Sequence, residues 1–116
     1  MKRERTIDDY KRAGAWMRLL KTVLAETYVN CGDVLSKNDC LIFDTVAKKV
    51  NTICNRAEDN MFKDHPELNN DALDIFYGSA DCPARTDTDA EQVRLMQELI
   101  VKLFGPNWTA DIKHND

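Results

Sequence analysis

The sequence predicts an all-α fold: a long antiparallel helical hairpin with a third, C-terminal helix packed along it as a small helical bundle. Two long segments repeat apolar residues at helical spacing, no segment alternates with a period of two, and four glycines and three prolines are spread over 116 residues. A chain of this length suits one domain with one core. We expect a single helical domain over residues 1–106 and a partly ordered tail over residues 107–116.

The first helix is predicted over residues 7–30. Thr6 and Asp9 form a capping-box pattern at its start, and Gly32 provides a stop beyond its end. Its apolar residues fall within one arc about 140° wide, and we expect this arc to face the core. The residues of the arc are Tyr10, Ala13, Trp16, Met17, Leu20, Val23, Leu24 and Tyr28.

The second helix is predicted over residues 37–63, from a capping pattern at Ser36 and Asp39 to the region before Pro66. Because about six residues join two long amphipathic helices, the two must fold back as an antiparallel hairpin. The core face predicted for the second helix comprises Phe43, Val46, Val50, Ile53 and Ala57, widened by Cys40, Ala47, Cys54 and Met61.

The last third of the chain predicts a short extra helix near residues 68–77, with a buried extended strip as the alternative. A third helix is predicted from a capping pattern at Thr88 and Glu91 to Phe104, where Gly105 and the following proline end it. Its apolar arc is about 180° wide, so we expect it to be buried on two sides or to carry a partner surface. The arc comprises Val93, Met96, Leu99, Ile100, Leu103 and Phe104.

Motifs with known chemistry are absent from the sequence. It contains no phosphate loop, dinucleotide fingerprint, nucleophile elbow or metalloprotease motif, so we expect no catalysis and no cofactor. Without a secretory signal or a long apolar run, we expect a cytoplasmic protein with reduced thiols and no membrane partner. An alternative hypothesis is a thiol or zinc site, although no CxxC spacing supports it. Its ligands would come from Cys31, Cys40, Cys54 and Cys82.

Charge is distributed unevenly along the chain. Residues 1–63 hold 12 basic and 9 acidic residues, whereas residues 64–116 hold 4 basic and 11 acidic residues. We therefore predict a protein-interaction or regulatory module, acting as an inhibitor or adaptor, that presents its acidic third to a basic partner protein. The predicted partner-binding residues are Asp71, Asp74, Asp81, Asp87, Asp89, Glu91, Leu95 and Glu98, together with the exposed Leu41 of the second helix.

The basic residues of the hairpin leave other hypotheses open. They point away from the apolar arcs and could contact phosphates, although the acidic chain makes nucleic acid the less favoured partner. They could also complement the acidic third within the fold. Separately, pairing of two copies would bury the surplus apolar arc of the third helix, which predicts a homodimer. The basic residues concerned are Lys11, Arg18, Lys21, Lys48, Lys49 and Arg56.

Overall fold

The computed structural model describes residues 4–77 and 86–105. This part of the chain is helical and contains no strand, which confirms the predicted all-α class. Its elements are α1 (Ile7–Cys31), α2 (Lys37–Asp64), a 3-10 helix (Asn70–Ile75) and α3 (Asp87–Phe104).

The hairpin is formed by α1 and α2 as predicted. The capping boxes at Thr6 and Ser36 are both present, each closed by the aspartate three residues later. Near the turn, the rings of Tyr28 and Phe43 meet edge-on with their centroids 5.9 Å apart. At the opposite end, the hydroxyl group of Tyr10 donates a hydrogen bond to Asp64. The two helices therefore contact each other near both ends.

The start of α3 differs from the prediction. Its N-cap is Thr86, whose hydroxyl oxygen accepts the backbone N–H of Asp89 at 3.0 Å, and not Thr88 with Glu91. Two possible capping patterns overlap here, one at Thr86 and Asp89 and the other at Thr88 and Glu91. A tertiary contact favours the first. The Thr86 hydroxyl also donates to the carboxylate of Asp74 at 2.7 Å, a partner that Thr88 does not have among the described residues.

The short helix expected near residues 68–77 is present as the tighter 3-10 helix. Asn69 begins it, and its side-chain oxygen accepts the backbone N–H of Asp71. The segment crosses α1 at Gly14, where the backbone of Ile75 comes very close. A helix this short is stabilised by such packing more than by its own hydrogen bonds.

The core consists of two clusters on different sides of α1. One cluster joins α1, α2 and the 3-10 helix, and the other joins α1 to α3. α1 is therefore the central helix of the bundle. The buried residues of the first cluster are Tyr10, Val50, Cys54, Met61, Ala72, Ile75 and Phe76, and those of the second are Ala15, Leu19, Met96 and Leu99.

The apolar arc predicted to bury α1 is only partly covered. Trp16, Leu20 and Val23 from that arc are 38%, 43% and 52% exposed. The structure buries a different side, including Gly14 and Arg18, because α3 and the 3-10 helix pack there. The other predicted core faces are also only partly buried. Their exposed residues are Val46, Ala47 and Ile53 on α2 and Leu103 and Phe104 on α3.

Candidate functional site

A buried ion pair holds the three layers of the molecule together. Arg18 of α1 donates to the carboxylate of Asp89 on α3 at 2.8 Å, and their side chains are 0% and 5% exposed. A second guanidinium nitrogen of Arg18 donates to the backbone carbonyl of Asp74 at 3.0 Å. Arg18 therefore links α1, the 3-10 helix and α3 through groups that water does not reach.

Gln92 extends this buried network. Its amide nitrogen donates to the backbone carbonyls of Lys11 at 2.8 Å and Ile75 at 2.9 Å, so it joins α3 to the other two elements. Gln92 is not among the functional residues predicted from the sequence. A signal was available, because Gln92 precedes Met96 and Leu99 by four and seven residues and so shares their buried row.

Most of the acidic residues predicted to bind a partner are engaged within the fold. Asp74 and Asp89 are buried in the network. Glu91 pairs with Lys11 at 3.1 Å, and Glu98 pairs with Arg94 on the same helix at 3.7 Å. Asp71 and Asp87 are exposed, and Asp81 lies outside the described residues.

The two apolar residues of that predicted set differ in environment. Leu95 is half-buried and packs against the α1/α3 cluster. Leu41 is 55% exposed on α2. The sequence predicts this exposure, because Leu41 lies among polar residues of that helix.

The basic residues considered for nucleic acid divide into two groups. Lys11 and Arg18 pair with acidic residues of α3. Lys21 donates to the backbone carbonyl of Phe76 at 2.7 Å and lies over the ring of Tyr77. Two of the six basic residues therefore pair with acidic side chains inside the fold, and a third, Lys21, is held by a carbonyl group and an aromatic ring. The residues that remain exposed are Lys48, Lys49 and Arg56 of α2.

Lys21 also lies beside two titratable groups of α2, Cys54 and Glu58. Burial raises the pKa of the Cys54 thiol and lowers the pKa of the Lys21 ammonium group. Burial and the neighbouring charge of Asp59 raise the pKa of Glu58. A thiol with a raised pKa is neutral at pH 7 and behaves as a small apolar side chain, so this cluster has the character of core packing.

Glu58→Gln should stabilise the protein at pH 7. A raised pKa means that the folded state holds the proton to a higher pH than the unfolded chain, so ionised Glu58 opposes folding above the ordinary glutamate pKa of about 4.3. One Glu58 oxygen is buried without a hydrogen-bond partner among the described residues. Urea denaturation measures the expected gain in the free energy of unfolding. This gain should shrink as the pH falls below the ordinary glutamate pKa.

The control for this experiment is Asp33→Asn in the exposed turn of the hairpin. It should change the stability little at either pH. A Glu58→Gln variant that is less stable than the original protein at pH 7 would show that attraction to Lys21 outweighs the cost of burial.

The described thiols do not assemble into a metal site. Cys31 and Cys40 are half-buried, Cys54 is buried, and all three are free. Within residues 4–77 and 86–105, no group of three or more histidine, cysteine, aspartate or glutamate side chains is placed to hold a metal ion. Cys82 lies outside these residues.

Two apolar grooves open at the end of the molecule that contains the hairpin turn, here called the distal end (residues 22–47). The groove between α1 and α2 has a volume of about 330 Å³ and is lined by Leu24, Tyr28, Val29 and Phe43, among others. The groove between α1 and α3 has a volume of about 520 Å³. The 3-10 helix and the adjoining Phe76 contact α1 at Gly14, Arg18 and Lys21.

The charged residues that line these grooves are Asp44 and Lys21 in the α1/α2 groove and Glu26 in the α1/α3 groove. The distal end carries four acidic residues and one basic residue, Lys37, so its net charge is −3. All five side chains are exposed. The acidic residues are Glu26, Asp33, Asp39 and Asp44.

The fold and these surfaces define a small all-α bundle with open apolar grooves at its distal end, where residues 22–47 have a net negative charge. No protein-family model, curated protein or solved structure matches the chain. Among the described residues, no helix is both long enough and apolar enough to cross a membrane.

Proposed function

We propose that the protein is a non-catalytic protein-interaction module that binds a basic, amphipathic helix of a partner protein at its distal end. The observation that carries this proposal is the presence of open apolar grooves at the end of the molecule where residues 22–47 have a net charge of −3. Contiguous exposed apolar surface on a small protein marks a contact site, and a charged rim steers and orients an oppositely charged partner.

The shape of the α1/α2 groove favours a helix as the bound segment. It runs along two antiparallel helices, from Lys21 to Val29 on one side and from Phe43 to Asn51 on the other. A third helix can place its apolar side chains between such a pair at the usual interhelical distance of about 8–10 Å. Helix-in-groove recognition of this kind uses apolar anchors spaced three and four residues apart.

The proposed partner is basic, as the charge distribution predicts. The proposed contact surface, however, is the distal end and not the acidic last third of the chain. Asp74 and Asp89 are occupied inside the fold, so they do not contribute to it. The distal carboxylates, such as Asp44 at the edge of the α1/α2 groove, take their place. Because these carboxylates are exposed, we expect binding to weaken as the salt concentration rises.

Site-specific photo-crosslinking in the source cells tests this function. A photoreactive residue at Val29, which lines the groove and is 74% exposed, should capture a defined partner. The control position is Lys48, which is exposed on the opposite side of α2 from α1 and should capture little. The captured peptide should be basic and amphipathic. Equal capture at both positions, or none at Val29, would contradict the proposal.

A further inference from the structure

We propose that the protein has a second contact surface, on the outer side of the hairpin, which binds an acidic amphipathic helix of a different partner. This surface is here called the outer face. Its apolar part consists of Trp16 and Leu20 on α1 and Val46 and Ile53 on α2, which are 38–54% exposed. Its basic part consists of Lys49, Arg56 and Lys63 on α2, which are all exposed. None of these residues lines the grooves at the distal end, so the outer face is separate from the surface in the proposed function.

On α1, the outer face lies on the side away from the 3-10 helix. Gly14 contacts the backbone of Ile75 in the 3-10 helix. At about 100° per residue, Trp16 and Leu20 lie roughly 120–160° from Gly14 around α1. These two side chains therefore belong to the opposite surface of the hairpin.

On α2, the outer face lies on the side away from the segment that follows the 3-10 helix. Asn55 marks that segment's side, because it accepts a hydrogen bond from the hydroxyl group of Tyr77. Val46 and Ile53 lie roughly 160–180° from Asn55 around α2. The exposed apolar side chains of the two helices are therefore neighbours on one surface of the hairpin.

The apolar residues of α1 and α2 are also level with each other along the hairpin. The ring contact near the turn and the hydrogen bond at the opposite end fix the relative heights of the two helices. They place Leu20 level with Ile53, and Trp16 level with Arg56, to within about one helical turn. An apolar strip therefore crosses from one helix to the other, and the basic residues border it on the α2 side.

The basic residues form a regular stripe along α2. Lys49, Arg56 and Lys63 are spaced seven residues apart, which is nearly two helical turns and about 10.5 Å. None of the three forms an ion pair with a described residue. On α1, by contrast, Lys11 and Arg18 are paired with acidic residues of α3. The stripe therefore keeps its charge available for an external partner.

Acidic residues near the outer face do not cancel this stripe. Asp59 lies beyond it on α2, on the side away from the apolar residues, and forms no ion pair with a described residue. On α1, the carboxylate of Asp9 accepts the backbone N–H of Thr6 in the capping box. The three cations of the stripe exceed these two carboxylates, so this side of the hairpin is net basic.

Charge and shape together favour an acidic helix as the occupant. A third helix packs between two antiparallel helices at an interhelical distance of about 8–10 Å, with apolar anchors three and four residues apart. Carboxylates in a row seven residues apart on that helix would face Lys49, Arg56 and Lys63 in turn. The same stripe repels the basic helix proposed for the distal end. The protein would then act as an adaptor that holds a basic partner at one surface and an acidic partner at another.

Fluorescence anisotropy with a labelled synthetic peptide tests this surface. The peptide is a helix of about three heptads, with leucines three and four residues apart on one side and a flanking row of glutamates seven residues apart. It should bind the original protein, and Lys49→Glu should weaken this binding at least about tenfold, because it replaces attraction by repulsion. Lys102→Glu, which makes the same charge change at an exposed position of α3, should leave the binding unchanged. Circular dichroism checks that each variant stays helical.

A charge exchange and an apolar substitution test the mode of binding. A peptide whose central glutamate is replaced by lysine should bind the Lys49→Glu variant more tightly than it binds the original protein. Ile53→Gln should weaken binding of the first peptide, whereas a DNA duplex held by the cations alone would not respond to it.

Three results would overturn the proposal: no binding of the peptide at low salt, binding that Ile53→Gln leaves unchanged, or tighter binding of the duplex than of the peptide. Partner capture at Val29 is read out separately. Failure of the outer face and failure of the proposed function are therefore distinguishable.

Discussion

Asp89→Ala should lower the free energy of unfolding by about 3–5 kcal/mol, because it leaves the buried guanidinium group of Arg18 without its anionic partner. The cost arises from desolvation, since Arg18 is 1% exposed and cannot recover its lost interaction from water. Chemical denaturation followed by circular dichroism measures this change. If the single variant does not fold, the double variant Arg18→Met/Asp89→Leu provides the test, because it removes both charges and should fold.

The matched control is Glu98→Ala, which breaks an ion pair on the surface of the same helix. Glu98 and Arg94 are both more than 60% exposed, and such pairs contribute about 0–1 kcal/mol. If Asp89→Ala and Glu98→Ala lower the free energy of unfolding equally, the Arg18–Asp89 pair is hydrated in solution and does not hold α3 in place.

Gly14→Ala should destabilise the protein by about 1–3 kcal/mol, although alanine ordinarily stabilises a helix interior relative to glycine. An added Cβ would lie 2.6 Å from Cγ2 of Ile75 and 2.8 Å from its carbonyl carbon, and closer still to the carbonyl oxygen. Because the obstacle includes backbone, the 3-10 helix would have to move away from α1. Denaturation measures the loss, and faster amide exchange in residues 70–76 should locate it.

Gly32→Ala is the control for this substitution. Gly32 has a right-handed helical conformation with φ −55°, and an added Cβ would meet atoms no closer than 3.6 Å. We therefore expect no loss, or a gain of up to about 1 kcal/mol from reduced freedom of the unfolded chain. A Gly14→Ala variant as stable as Gly32→Ala would show that the 3-10 helix does not rest on α1.

The helices of the hairpin were predictable because their signals are local. The capping boxes at Thr6 and Ser36 join residues three apart, and the 3.6-residue period of apolar side chains extends over many turns. Such patterns need no knowledge of the rest of the chain. The start of α3 was less predictable, because two capping patterns overlap there. The hydrogen bond that Thr86 donates to the distant Asp74 favours the pattern that begins at Thr86.

The candidate surfaces were less predictable than the helices. The uneven charge distribution indicated a basic partner, yet Asp74 and Asp89 are buried by contacts 56 and 71 residues away in the chain. An acidic residue on a helix looks the same in sequence whether it faces water or a buried arginine. Only the position of α1 relative to α3 distinguishes the two cases.

The sequence by itself determined the all-α class, the antiparallel hairpin and the approximate ends of the three long helices, since each depends on spacing and capping between near neighbours. The tertiary structure decided which side of each helix is buried. On α1 the apolar arc is wider than one neighbouring helix can cover, so the packing of α3 and the 3-10 helix against Gly14, Ala15 and Arg18 left Trp16, Leu20 and Val23 exposed. That choice depends on contacts between distant segments, which the periodicity of a single helix does not encode.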